Sequence, residues 1–319
     1  MPVLTSSFRP PFFLRQSHVQ TILPAILPRR FAHSFTPERL ELPDGDFLDL
    51  GWLRQGSSQL VILTHGLEGS IDGGYIRGTA QTLHAQGWDA LAWNFRNCGV
   101  EPNRLLRSYH SGESGDLGAV VRHAAASYRR IALVGFSLGG NVTLKYLGEA
   151  PPHPAVVAGV AISAPVHLAS CARALDSRWA NKIYLQRFLA TLVQKAHAKA
   201  ARFPDRISHD PRRRIDTITL FDDLFTAPLH GFRDALDYWT QASARQYLPG
   251  ISIPALLINA HDDPLLGAEC FPYAEATASR SFSLEAPKYG GHVGFLDLKH
   301  GIQPWTERRI AEFLREHSE

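Results

Sequence analysis

Residues 130–141 read R-I-A-L-V-G-F-S-L-G-G-N, and they hold the residue whose setting most plainly suggests chemistry, Ser137. Ile131 to Val134 form an apolar run short enough to be a buried strand. After Ser137 come Asn141-Val142-Thr143-Leu144-Lys145-Tyr146-Leu147, with apolar residues at helical spacing. A strand, a glycine-flanked serine and a helix together form the context in which G-x-S-x-G acts as a nucleophile elbow. The sharp turn lifts the serine Oγ clear of the sheet, and side chains at Gly135 and Gly139 would collide with it. The serine also lies at a helix N-terminus, where free N–H groups and the helix dipole favour a developing negative charge. The chemistry this arrangement suits is attack on an acyl group.

A serine hydroxyl needs a base held in place by a third group. The late loops of the chain offer Asp262 and Asp263, then His292. His292 would take the Ser137 proton and return it to the leaving group, while a carboxylate fixes the imidazole tautomer. Either aspartate could serve. The register Asp-x-apolar, met by Asp263-Pro264-Leu265, favours Asp263. Acyl transfer also needs oxyanion donors, and the backbone N–H of Leu138 follows the nucleophile directly. A second donor is expected at Leu67, in His65-Gly66-Leu67-Glu68-Gly69, which follows the strand ending at Thr64. His261, Asp262, Asp263 and His292 could be drawn as metal ligands, but adjacent residues on an extended segment point to opposite faces. No metal is therefore expected. Cys98 has no base beside it in the sequence, which disfavours it as a nucleophile.

The elements that must position these residues alternate along the chain. Short apolar runs at 59–64, 88–93, 131–134, 155–163, 255–259 and 281–285 read as strands, with helices expected at 78–85, 116–127 and 304–317. Strands alternating with helices imply a parallel sheet with crossovers. Residues 39–53 alternate around Pro43-Asp44-Gly45-Asp46, a hairpin signal. Residues 1–36, rich in proline and aromatics, read as an arm lying over the domain, neither helix nor strand. The rhythm breaks between 168 and 218, where no strand pattern appears. There Ile183, Leu185, Phe188, Leu189, Leu192, Val193 and Ala196 mark one face of an amphipathic helix. The basic run 211–214 and a helix near 232–241 follow. Helices inserted at about 168–230 between strands read as a cap.

The chain has 319 residues, is 45% hydrophobic and carries a net charge of +3 with the signs interspersed. That composition gives no nucleic-acid or membrane signature. Cys98, Cys171 and Cys270 are odd in number, far apart and without C-x-x-C spacing, which argues against a disulfide framework or a zinc site. Prolines interrupt the N-terminus where a signal peptide needs a continuous apolar run, and the longest apolar run, 155–166, is too short to span a bilayer. The expectation is a cytoplasmic protein without a membrane span, a reading compatible with peripheral lipid contact.

A resemblance covers nearly the whole chain. F-R-P-P-F-F-L-R-Q-S-H-V-Q-T-I-L-P, H-G-L-E-G-S, Y-I-R-G, N-F-R-N-C-G, Y-H-S-G-E with Asp116-Leu117, G-F-S-L-G-G-N, S-A-P, N-A-H-D-D-P and G-G-H-V-G-F follow one another in order. In these motifs the chain resembles the YheT-like branch of the α/β-hydrolases, related to the abhydrolase-domain lipid esterases. The resemblance implies an α/β-hydrolase domain over 37–319, with a mostly parallel central sheet flanked by helices, a cap insertion and an N-terminal arm. It implies the triad Ser137, Asp263 and His292, and esterase or lipase-like hydrolysis of small-molecule acyl esters without a cofactor. Asn97 departs from the pattern, standing where such proteins often have glycine. Two rivals share the fold: an alcohol acyltransferase using the same triad, and a binding protein that performs no chemistry.

Overall fold

The computed structural model describes residues 2–206 and 214–317. The nine strands among the described residues are β1 Val3–Leu4, β2 Thr36–Glu41, β3 Phe47–Leu53, β4 Gln59–Thr64, β5 Asp89–Trp93, β6 Arg130–Phe136, β7 Val156–Ile162, β8 Ala255–Ile258 and β9 Phe282–Glu285. They form one sheet in the order β1-β9-β8-β7-β6-β4-β5-β3-β2. Of these neighbours, β2–β3 and β3–β5 pair antiparallel and the rest parallel. This is the mostly parallel sheet of an α/β-hydrolase fold.

The central strands are continuous apolar runs because both of their faces are covered. Leu60 and Ile62 of β4 face one layer, with Leu117 and Val121 of α3 (Ser114–Ala125) and Val142 and Leu144 of α4 (Leu138–Glu149). Ala276 of α10 (Tyr273–Ala278) joins the same layer. Val61 and Leu63 face the other, with Ile76, Ala80 and Leu83 of α2 (Gly74–His84) and Ile310, Phe313 and Leu314 of α11 (Trp305–His317). Each large buried side chain of this kind contributes about 1.5–3 kcal/mol.

Between β7 and β8 the chain forms α5 Leu168–Ser177, α6 Lys182–Arg202, α7 Ile218–Phe221, a π-helical turn Asp222–Thr226, α8 Ala227–His230 and α9 Ala235–Ala242. These helices share a separate apolar core that includes Leu175, Leu185, Leu189, Phe221, Trp239 and, from the loop after β8, Leu265. Ile183 does not join it. That residue is 61% exposed, and its neighbour Tyr184 turns inward instead. α9 starts later than its apolar pattern suggests, because Asp234 caps it by accepting from the Asp237 N–H. Residues 211–213 of the basic run lie outside the described residues.

The arm departs most from expectation. β1 pairs with β9, and α1 Ser17–Ile26 is a ten-residue helix. The Gln16 side chain caps its start by accepting from the Val19 N–H at 2.6 Å. Pro24 lies near its end, where the missing N–H costs only the bond to the Gln20 carbonyl. Gly294 packs on that carbonyl so closely that a Cβ there would lie 1.8 Å from it.

Candidate active site

Ser137 ends the β6 turn with φ 52° and ψ −122°, a positive-φ conformation that costs about 1–3 kcal/mol for a residue with a side chain. Its backbone N–H donates to Ile162 O at 2.8 Å, which fixes the turn on β7. The flanking glycines are required by close approach. A Cβ at Gly135 would lie 2.2 Å from Gly139 O, and one at Gly139 would lie 2.4 Å from both Thr64 O and His65 O. The elbow therefore rests directly on the end of β4.

His292 Nδ1 lies 2.8 Å from Asp263 Oδ2, and His292 Nε2 lies 2.9 Å from Ser137 Oγ. An ionised carboxylate only accepts, so Nδ1 carries the ring proton and Nε2 faces the hydroxyl as an acceptor. The other Asp263 oxygen accepts from the Leu265 N–H at 2.9 Å. That bond is the physical content of the Asp-x-Leu register. Asp262 takes a different place: its Oδ1 accepts from the Gly291 N–H at 2.9 Å, and burial pushes its carboxyl up to about 6. His261 turns aside to Tyr273 Oη at 2.8 Å and stacks on Phe271.

The His292 loop carries positive φ at Gly291, Val293 and Phe295, and side chains from distant elements hold it. The Gly291 N–H goes to Asp262, the His292 N–H to Thr21 Oγ1 at 3.0 Å, and the Val293 N–H to Ser163 Oγ at 2.9 Å. Gln20, buried in α1, then clamps Leu296, donating from Nε2 to its carbonyl at 2.9 Å and accepting from its N–H at 2.8 Å. Apart from Asp262, none of these partners is apparent from the sequence. Only their presence in the Q-S-H-V-Q-T and S-A-P motifs hinted at a role.

The loop after β4 is equally constrained. The Phe95 N–H donates to His65 Nε2 at 3.2 Å, so the ring proton sits on Nδ1, which donates to Gly66 O at 2.8 Å. Burial presses the His65 pKa down to about 4, which keeps the ring neutral. Gly66 O also accepts from the Gly69 N–H at 3.0 Å, and the Gly66 N–H donates to Tyr75 Oη at 3.0 Å. With its carbonyl pinned twice, the trans peptide 66–67 must point the Leu67 N–H the opposite way. Gly66 passes beside Ser137, where a Cβ would lie 3.0 Å from the serine Cβ. Glu68, at φ 53°, is tied to Tyr109 Oη and to Lys195 of α6, which anchors this loop to the cap. Asn97 also has positive φ, 64°, the conformation glycine adopts without cost. Its side chain brackets the loop by accepting from the Asn103 N–H and donating to Ser108 Oγ.

Ser137 and His292 open into a cavity walled by Leu67, Leu138, Leu168, Leu175, Phe188 and Leu265. A second cavity shares Leu67, Leu138 and Asp222 with it and carries Glu68, Lys195, His110 and His230. Asp222, between the two, accepts from Thr226 Oγ1 and Trp239 Nε1, and burial pushes its carboxyl up to about 7. Cys171 also lines the first cavity. Its Sγ lies 3.3 Å from Cys270 Sγ, so the fold joins two thiols that are far apart in sequence. His110, Glu113 and His230 lie close enough together to share a metal ion. Arg107, however, already donates to Glu113 Oε2 at 2.5 Å, and that cation competes with a metal for the carboxylate.

The family model described as alpha/beta hydrolase fold matches residues 59–297. The chain is 37% identical over 315 residues to YheT of Escherichia coli (strain K12), covering 95% of this chain and 91% of that protein. It is 28% identical to the phospholipase ABHD3 of Mus musculus, covering 98% of this chain and 79% of that one. Among solved structures, the Pyrococcus furiosus esterase Pf2001 superposes with a TM-score of 0.62 at 20% identity, covering 92% of this chain and 96% of its own. The chain belongs to the α/β-hydrolase family, in the branch that holds YheT and the abhydrolase-domain proteins, and is a hydrolase of the esterase or lipase type.

Proposed function

We propose that the protein is a serine carboxylic-ester hydrolase that cleaves short- to medium-chain acyl esters through an acyl-enzyme. The observation that carries this reading is the continuous hydrogen-bonded line Asp263–His292–Ser137, at 2.8 and 2.9 Å. Ser137 Oγ attacks the ester carbonyl as its proton passes to His292 Nε2, and Asp263 stabilises the imidazolium that forms. The negative charge on the carbonyl oxygen meets the N–H groups of Leu67 and Leu138, each worth about 3–4 kcal/mol to the transition state. Collapse expels the alcohol, which leaves with the His292 proton. Water then attacks the acyl-enzyme with His292 as base, releasing the acid and restoring the serine hydroxyl. No step requires a cofactor.

The apolar walls of the Ser137 cavity favour an aliphatic acyl chain. Each buried methylene contributes about 0.8 kcal/mol, roughly fourfold in binding. Hydrolysis of p-nitrophenyl esters of increasing acyl length by the wild type and by Ser137→Ala tests the reading. The expected result is turnover that climbs over the first few carbons and then falls, and that is lost in the variant. Equal rates in the two proteins would refute it.

A further inference from the structure

Helix α1 is built inside out. Its inner side is polar, with Gln20 at 1% exposure clamping Leu296 and Thr21 holding the His292 N–H. Its outer side carries Val19, Ile22 and Ile26, at i, i+3 and i+7, with Ile26 69% exposed. An ordinary surface helix has the reverse arrangement. The turn before it adds Phe12, 81% exposed, edge-to-face with Phe13 at 5.5 Å. The cap continues the feature: His18 Nδ1 lies 2.8 Å from Tyr184 Oη, and beside Tyr184 stand the exposed Ile183 and, just before α6, Trp179 at 84%. Single exposed apolar residues need no explanation, but a group drawn from two joined segments does.

The charge on these two segments is one-sided. Residues 2–37 contain no Asp or Glu but hold Arg9, Arg15, Arg29 and Arg30. Residues 177–204 contain none either, and hold Arg178, Lys182, Arg187, Lys195, Lys199 and Arg202. Arg9, Arg15, Arg30, Lys182 and Arg187 are exposed. The chain as a whole is nearly balanced, with 33 basic and 30 acidic residues, so the basic excess is local to these two segments.

We infer that the outer face of α1, together with Phe12, Phe13 and the Trp179–Ile183 end of the cap, docks on an anionic lipid surface. The aromatic and branched side chains enter the headgroup–acyl boundary, and the exposed Arg and Lys side chains meet lipid phosphates. No helix among the described residues is long and apolar enough to cross a membrane, so the contact lies in the plane of the surface. A second copy of the chain fits this face less well, because an isologous contact sets the same cations against each other. Phe188, one turn beyond Tyr184, lines the Ser137 cavity, so a docked protein carries that cavity close to the lipid.

Co-sedimentation of the full chain with vesicles of phosphatidylcholine, alone or mixed with phosphatidylglycerol, tests this without requiring turnover. The wild type is expected to pellet with the mixed vesicles, to be released by high salt, and to bind phosphatidylcholine alone far less. Ile22→Ser with Ile26→Ser, and separately Lys182→Glu with Arg187→Glu, are each expected to lower binding about tenfold, with circular dichroism and Tm unchanged. A wild type that stays in the supernatant with the mixed vesicles overturns the inference. So do two folded variants that bind as the wild type does. A stable dimer in analytical ultracentrifugation that dissociates in Ile22→Ser/Ile26→Ser also overturns it, by assigning the face to a second copy.

Discussion

The backbone N–H of His292 donates to Thr21 Oγ1 at 3.0 Å, across 271 residues of sequence. Thr21 Oγ1 in turn donates to Ser17 O at 2.8 Å, which leaves its lone pairs aimed at the loop. If His292 is the base, the arm helix is part of what aims it. Thr21→Val should lower kcat by roughly 10- to 100-fold, because small misplacements of a catalytic group cost rate steeply. KM should barely move, and Thr21→Ser should restore the rate. A purely structural role would lower Tm without this split between kcat and KM.

Asp262 and Asp263 are neighbours with different work. Asp263→Asn should cost about 10⁴-fold in kcat by leaving the wrong imidazole tautomer. In Asp262→Asn the new amide oxygen can still accept from the Gly291 N–H, so that substitution should cost far less. Equal losses in two folded variants, measured with p-nitrophenyl butyrate, would count against Asp263 as the orienting residue.

The legible parts of this fold were the local ones. The apolar runs of β4 to β9 and the Ser137 elbow announce themselves because each is a short, continuous pattern that can be read without knowing which distant elements bury it. The arm was not legible as a helix. Pro10, Pro11 and Pro24 read as punctuation, and α1 shows its apolar residues to solvent, the opposite of the pattern a sequence reader seeks. Thr21, Gln20 and Ser163 were hidden for another reason. Each serves the His292 loop through one or two hydrogen bonds, and such pairings leave no periodicity. Several motif residues prove to be scaffold: the buried Arg96 grips Asp116 at 2.7 and 2.8 Å and Asp44 at 2.8 Å, tying the β2–β3 turn to α3.

Phe188 tests the proposed acyl role of the Ser137 cavity. Truncation to alanine lengthens the space in front of Ser137, so the optimum of kcat/KM should move to longer acyl chains, by about fourfold in preference per methylene accommodated. Acetate esters should still turn over. An unmoved chain-length profile with a lowered Tm would make α6 structural only.

Asp222 predicts a pH dependence of stability. Its carboxyl is raised from 3.8 to about 7 by burial, so the folded state holds the proton more tightly than the unfolded chain does. Stability from this group is therefore full below about pH 3.8 and declines as pH rises through about 7. Asp222→Asn removes the decline. The difference in Tm, variant minus wild type, should grow across that window and reach about 2–4 °C or more at its upper end. A difference that is constant with pH would contradict the buried, raised carboxyl.

The central claim is that Ser137 is the nucleophile, and covalent trapping addresses it most directly. A fluorophosphonate transfers its phosphonyl group to an activated serine with loss of fluoride, and mass spectrometry of the digested protein locates the adduct. The wild type should carry a single adduct, on the peptide containing Ser137. Ser137→Ala should carry none, and labelling should slow by orders of magnitude in His292→Ala. Labelling of Ser137→Ala at the wild-type rate, or an adduct on another residue of the wild type, would contradict that claim.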